Sequence, residues 1–473
     1  MDKKVARPHK ISLFTLIMIS SAFVISVRNL PMEAETGMHM IFFGLLAVIG
    51  FFIPVALISA ELATGWPKQG GIYVWVKEAF GDRWGFVSIW LQWNYMIIGV
   101  IAMLYFVGGS LAFVFAPVLA SNRLFLYLVL LAVIWGATFA SLRGQKVSGM
   151  ISTIGFLGGV LLPGIVIILL GLIYLLQGNP PQMSLSLSKT NLFPSLRQIT
   201  TLVLLVAFMR TFSGIEASSN HAAEVDNPQR NYPIAIFIVV ALGFALNILG
   251  SLSVGMVVPR KEISLLAGLM EAFSDFFAKF NLRWLVPYFG LLIAGGAIGG
   301  ISTWVMGPVK GLHATAKNGE LPPFFQKVNQ QGAPSPLLII QAVIVSLVGG
   351  GLLLMPNLNI AFWTSAATAM LIYFAMYTLM ILSGLYLRYK EPRAHRVYKV
   401  PGGKVGIWLV SLIGLATLWF GFVIALFPPA ELPTGNIVLY ETVLIGLIAL
   451  IYAIPFMIFK LKKPEWKLTV VEK

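Results

Sequence analysis

The chain contains no cysteine, so it can form no disulfide and offers no thiolate to a metal. Charge is scarce as well. Asp, Glu, Lys and Arg make up 11% of its 473 residues, while 58% are hydrophobic; a soluble domain carries roughly 25% charged residues. That shortage excludes a water-soluble globular fold. No nucleotide-binding loop and no nucleophile elbow is present, so ATP hydrolysis and serine-hydrolase chemistry have no motif to rest on. The five histidines are scattered without metal-ligand spacing. No cofactor is expected, and the chain does not read as an enzyme.

What the sequence does contain is a recurrence of long apolar runs. A spanning helix needs about 20 predominantly apolar residues. Such runs fall near 11–31, 39–63, 84–114, 124–142, 152–177, 199–223, 232–257, 284–309, 337–355, 360–388, 405–427 and 437–459. The expected fold class is an all-α polytopic membrane protein with about 12 transmembrane helices. The basic start MDKKVARPHK followed by an apolar run has the form of a secretory signal peptide. Eleven further runs follow it, and it is read as an uncleaved first helix.

The formal charge of +15 is explained by location. Lys and Arg favour cytoplasmic loops. With the N-terminus inside, 24 of the 33 basic residues fall in inside segments and 7 in outside loops, and Arg28 and Arg210 lie within spans. Both termini are therefore expected in the cytoplasm of a cell whose inner (plasma) membrane holds the protein. Membrane lipids are expected partners, with Lys460, Lys462 and Lys463 beside anionic headgroups; nucleic acid is not.

Two spans turn polar in mid-course. Span 1 carries Ser20 and Ser21, then Ser26, Arg28 and Asn29 before Pro31. Span 6 carries MRTFSGIEASSNH, from Met209 to His221. Spans 1 and 6 have the offset of a five-helix unit repeated in inverted topology, whose substrate site lies where the first helix of each unit is interrupted. Interrupted backbone exposes N–H and C=O groups that lipid cannot satisfy, so it survives only around a cavity. An α-amino acid supplies both complements, its ammonium for carbonyls and its carboxylate for half-helix N-termini. The other reading is a polar helix buried in a bundle, with Ser and Thr bonding back to their own turn. Ionisable residues inside a membrane weigh toward function.

Further along, ELATGWPKQGGIYVWVKEAFG from Glu61 to Gly81 resembles the signature after the second helix of the amino acid-polyamine-organocation (APC) transporters. FSGIEASSNHAAEVDNPQRNYP from Phe212, WVMGPVKGLHATAKNGELPPFF from Trp304 and YKVPGGKVG from Tyr398 resemble the glutamate/γ-aminobutyrate antiporter subfamily. The resemblance runs from about residue 11 to 459. It implies a 5+5 inverted repeat with two extra C-terminal helices, broken helices 1 and 6, and alternating access. The corresponding division is a tail at 1–10, repeats at 11–180 and 199–390, helices 11 and 12 at 404–459, and a second tail at 460–473. The implied substrate site comprises Ser20, Ser21, Val24, Ile25, Ser26 and Arg28 in helix 1. From helix 6 it takes Arg210, Thr211, Phe212, Ser213, Gly214 and Glu216, and from helix 8 Trp304. The expected function is secondary active exchange of neutral or acidic amino acids, with a decarboxylated amine as counter-substrate. A proton- or sodium-coupled symporter and a non-transporting amino-acid receptor are the alternatives.

The chain departs from the family pattern in four places. Val24, Ile25 and Ser26 stand where many members have Gly-Ser-Gly. Helix 5, TIGFLGGVLLPGIVIILLG from Thr153, lacks the lysine of proton-coupled relatives, which excludes a lysine-based proton switch. Ser302 and Thr303 are adjacent hydroxyls, a weak sodium candidate and a common pairing in helices. The sequence runs about 14 residues past its last span, so plug gating is not expected.

The remaining residues divide between structural and functional readings. Arg28, Arg210 and Glu216 place two cations and one anion near the breaks. Either an arginine is open to a substrate carboxylate, which favours a neutral or acidic amino acid over a polyamine, or Arg28 reaches outward to Glu33 or Glu35. Glu61 reads as a helix-end charge that fixes a loop rather than a proton carrier, and His221 as an interfacial packing residue. Gly295-Gly296 and Gly299-Gly300 let helix 8 approach a neighbour closely. Trp90, Trp93, Tyr95, Trp304, Trp363 and Tyr373 line a cavity or anchor the interface.

Overall fold

The computed structural model describes residues 11–68, 70–143, 154–195, 199–218, 225–355, 357–428 and 437–467. Within them the chain is helical and has no β-strand. Ten helices are long and apolar enough to cross a membrane. The two other expected spans correspond to the interrupted stretch 199–218 and to the 24-residue helix Ile437–Lys460.

The first span is two helices. α1 (Leu13–Val24) starts at Ser12, whose side chain accepts from the Thr15 N–H, and stops at Ile25 and Ser26, both extended. Ser26 Oγ then accepts from the Arg28 N–H (3.3 Å), one 3-10 turn follows over Val27–Asn29, and α2 (Leu30–Ala34) resumes with Pro31 in its first turn. Proline is tolerated there because a first-turn N–H has no helical partner anyway. The interruption falls where the sequence places it.

α3 (His39–Gly65) and α7 (Ile154–Leu176) each contain a π-turn, at Val48–Phe52 and Leu157–Leu161. Pro54 and Pro163 follow those turns. A proline inside a helix removes one hydrogen bond and crowds the carbonyl four residues back, and one widened turn absorbs both effects. Between these spans lie the amphipathic α4 (Ile72–Phe80), the 34-residue α5 (Asp82–Phe115) and α6 (Arg123–Leu142).

The stretch 199–218 is broken twice. α8 (Ile199–Leu202) yields to a turn, α9 (Leu205–Thr211) ends at Phe212, and α10 (Ile215–Ser218) begins after Gly214. Gly214 has φ +106°, and a Cβ there would lie 2.8 Å from the Trp304 ring. Glycine is required on both counts.

The rest of the bundle is α11 (Pro228–Val257), the amphipathic connector α12 (Gly268–Lys279), α13 (Val286–Lys317), α14 (Ser335–Leu352), α15 (Leu358–Lys390), α16 (Gly403–Ile424) and α17 (Ile437–Lys460). α13 touches α7 backbone to backbone. A Cβ on Gly296 would meet Gly159 at 2.6 Å, and one on Gly159 would meet the Leu292 carbonyl at 2.2 Å. One glycine of each pair thus serves close packing, Gly296 against Gly159 and Gly299 against Gly155, whereas a Cβ on Gly295 would meet nothing within 4 Å. On the outside, Leu162, Ile165, Leu169, Leu172 and Leu176 form an exposed stripe along α7, as do Val405, Leu409, Leu412 and Phe420 along α16. Surfaces this apolar are suited to lipid and not to water.

Glu61, at the end of α3, has 2% exposure and pairs with Arg388 Nη1 (2.7 Å) and Arg396 Nε (3.4 Å). Its second oxygen accepts from the Val400 N–H (2.8 Å), and Arg388 also donates to the carbonyls of Val400 and Gly403. It does fix a loop, but the loop is the 391–402 connection between α15 and α16 rather than its own turn.

Candidate functional site

The two interruptions face one cavity. Its lining comes from residues 22–29, from α5 between Tyr95 and Phe106, from α7 at Phe156, Gly159 and Val160, from Arg210, Thr211 and Ser213, and from α13 up to Trp304. Counting its open mouth, the space between these residues is about 860 Å³. Both intramembrane arginines line it, and among the described residues no Asp or Glu does.

Arg210 is 4% exposed. One of its Nη atoms donates to the Gly99 carbonyl (3.4 Å), the other is buried without a partner, and the guanidinium lies 5.7 Å from the centre of the Phe362 ring. Arg28 is half-buried, and its Nε donates to Asn29 Oδ1 at 3.4 Å. The two guanidinium groups act on each other electrostatically. Among the described residues neither forms an ion pair with a carboxylate. The outward pairing of Arg28 with Glu33 or Glu35 is not seen.

An aromatic wall closes one side. Trp304 meets Phe23 edge-on at 5.9 Å and Tyr95 at 5.7 Å, and Tyr95 stacks on Tyr373 at 3.6 Å and 8° from parallel. Behind that wall sits Glu216, which accepts from Tyr373, from Tyr377 (2.7 Å) and from Gln92 (3.4 Å). The Tyr377 hydroxyl also accepts from the Gly214 N–H (2.9 Å), and Tyr95 and Ser213 share a hydrogen bond of 2.9 Å. The Gly214 N–H freed by the break is thereby satisfied by a side chain of α15, while α5 bonds the Ser213 and Glu216 side chains.

Of the residues the sequence singles out, Val24, Ile25, Ser26, Arg28, Arg210, Thr211, Ser213 and Trp304 line the cavity. Ser20, Ser21 and Phe212 are buried elsewhere, Phe212 stacked on Phe52 at 5.4 Å. Gly214 is buried against Trp304, and Glu216 lies behind the wall. Ser302 and Thr303 do not line it; Thr303 bonds back to the Gly299 carbonyl (3.2 Å). Ser219, His221 and Glu224 lie outside the described residues. Among the aromatics, Tyr95 lines the cavity, while Trp93 donates to Gln341 (2.9 Å) and Trp90 to the Ile451 carbonyl (3.0 Å). Gly99 and Gly300 also line it, and composition alone gave no reason to select them. No group of three or more His, Asp or Glu among the described residues is placed to hold a metal ion.

A second polar cluster lies outside the spans. Glu320, just past α13, has no exposed surface and accepts from the Tyr73 hydroxyl of α4 (3.0 Å), to which Asn318 and Lys77 also donate. Burial pushes the Glu320 carboxyl up to about 7, with Tyr73 and Lys77 opposing and Asp82 adding to the rise. The segment after α17 rests on the same loop, since Gln326 donates to the Trp466 carbonyl at 2.6 Å.

The family model of amino acid permeases matches residues 11–449. A protein of Legionella pneumophila named only as an uncharacterized transporter is 38% identical over 95% of this chain and 96% of its own length. A glutamate/γ-aminobutyrate antiporter of Lactococcus lactis is 35% identical over 98% of this chain and 93% of its own. A probable agmatine/putrescine antiporter of the same species is 23% identical over 87% of each.

Proposed function

The chain belongs to the amino acid permease family of the APC superfamily and is an amino-acid exchange transporter, and from that premise we propose that its substrate is an acidic or neutral amino acid held by Arg28 and Arg210. One observation carries this reading. Among the described residues the cavity between the broken helices presents two guanidinium groups and no carboxylate. A guanidinium is always charged and fits a carboxylate in a fork of paired hydrogen bonds. A cationic polyamine would meet repulsion from both. An acidic amino acid neutralises both, and a neutral one or a decarboxylated amine that keeps a single carboxylate still neutralises one.

Residues 11–180 and 199–390 are proposed as the two repeats whose relative movement exposes the cavity to each side in turn. The bacterial plasma membrane, with both termini in the cytoplasm, is the proposed location, supported by the distribution of Lys and Arg. The test replaces Arg28 and Arg210 separately with Gln and measures binding of glutamate, a neutral amino acid and its amine. Glutamate should weaken most in both variants. An unchanged order of affinities would make the arginines structural and remove the basis for the substrate assignment.

A further inference from the structure

A single carboxyl group bridges the two interrupted helices without touching the cavity. Glu33, on α2, has no exposed surface. One of its oxygens lies 2.5 Å from Thr211 Oγ1, at the end of α9, and the other 3.3 Å from Ser251 Oγ on α11. Thr211 Oγ1 also receives the Asn29 amide (2.9 Å) and lies 3.1 Å from the Ala207 carbonyl. Asn29, Thr211 and Arg28 all line the cavity.

The hydroxyl of Thr211 has one proton and two acceptors in reach. If Glu33 is ionised, that proton goes to the carboxylate and the Ala207 carbonyl loses its side-chain bond. If Glu33 carries a proton, the carboxyl group donates to Thr211, which accepts from Asn29 as well and donates to Ala207. The hydroxyl of Thr211 and both oxygens of Glu33 are then all used, and the Ala207 carbonyl keeps its side-chain bond. The ionisable groups on elements packed against α2 are Arg28, Arg210, Arg230 and Tyr232 of α11, and Glu271, Asp275 and Lys279 of α12, with Glu35 at its own end. None forms an ion pair with Glu33 among the described residues. A buried carboxylate without a cation is costly and takes a proton instead.

We propose that Glu33 is an intramembrane proton-binding site, distinct from the substrate site, whose occupation joins the two broken helices in the arrangement that carries substrate across. The proton comes from water and returns to water when the halves separate, and no bond of the substrate changes. The inference holds for any substrate the cavity accepts. It places a proton site on the first helix of a chain whose fifth has no lysine between Ile154 and Leu176.

Two measurements decide it. In proteoliposomes, exchange of labelled glutamate by the wild type should fall as pH rises, whereas Glu33→Gln, which stays neutral and can donate to Thr211, should exchange with that fall abolished. A Glu33→Gln profile parallel to the wild type, or a folded variant that does not exchange, would overturn the proposal. The second needs no transport. The infrared carbonyl band of a buried protonated carboxyl group should bleach as the wild-type protein is titrated, and Ser251→Ala, which removes a donor from the ionised form, should move the bleaching to higher pH. Titration curves that coincide would show that Glu33 does not bind the proton.

Discussion

Arg28 and Arg210 reach one cavity from the interruptions of two different helices and repel each other there. Two like charges with no lining carboxylate among the described residues destabilise the empty protein, and an anionic ligand relieves that. Arg28→Gln should therefore leave the melting temperature of the substrate-free protein unchanged or raised, while removing most of the stabilisation that saturating glutamate gives the wild type. Ligand stabilisation follows RT ln(1 + [L]/Kd), about 2.7 kcal/mol at a hundredfold excess over Kd. A lower melting temperature without ligand would mean that Arg28 holds the fold together.

The ion cluster at Glu61 is structural. Breaking a buried pair by removing one partner costs about 3–5 kcal/mol, and Glu61→Ala would strand Arg388 and Arg396 and free the Val400 N–H. Thermal unfolding in detergent should register a large loss. The Lys68–Glu78 pair, with side chains 67% and 38% exposed, is the control. Surface pairs contribute little, and Lys68→Ala should leave the melting temperature where it was.

Gly296 and Gly295 are neighbours in sequence with opposite surroundings. A Cβ at 296 meets the Gly159 backbone at 2.6 Å, and one at 295 meets nothing within 4 Å. Gly296→Ala should push α13 from α7 and reduce both folded yield and exchange, because overpacking typically costs about 1–3 kcal/mol. Gly295→Ala should behave as wild type. Equal behaviour of the two variants in yield and melting temperature would contradict the packing described.

Glu320 gives stability a pH dependence of known sign. Burial raises its carboxyl group from the ordinary 4.5 to about 7, so between those values the folded protein holds a proton that the unfolded chain has released. The contribution is complete below about 4.5 and is lost as pH rises through about 7. Melting temperature should fall over that window in the wild type, and Glu320→Gln should flatten the fall. A variant whose slope matches the wild type would show that another group is responsible.

Much of this architecture is legible in the chain because breaking a membrane helix demands particular residues. Ser26, Arg28 and Pro31 mark one interruption and Gly214 the other, since unsatisfied backbone needs capping and a positive φ needs glycine. Tyr95 and Trp304 stand among the aromatics the sequence singles out. The phase of the helices is less accessible. Ser20 and Ser21 lie one turn before the break and are as polar as Ser26, but their turn faces away from the cavity, and Glu216 is screened by tyrosines from a helix about 160 residues later. The partners of Glu61 are likewise set by how α15 and α16 fold back, over separations of 327 and 339 residues. No local pattern encodes such contacts.

The central claim is that the cavity between the broken helices exchanges amino acids, with a carboxylate held by Arg28 and Arg210. Its most direct test is counterflow in proteoliposomes loaded with labelled glutamate. External unlabelled glutamate should accelerate efflux of the label by the wild type, and Arg28→Gln and Arg210→Gln should each raise the external concentration needed for half-maximal acceleration at least tenfold. Efflux indifferent to external substrate, or uphill uptake that requires a sodium gradient and shows no acceleration from the far side, would contradict it.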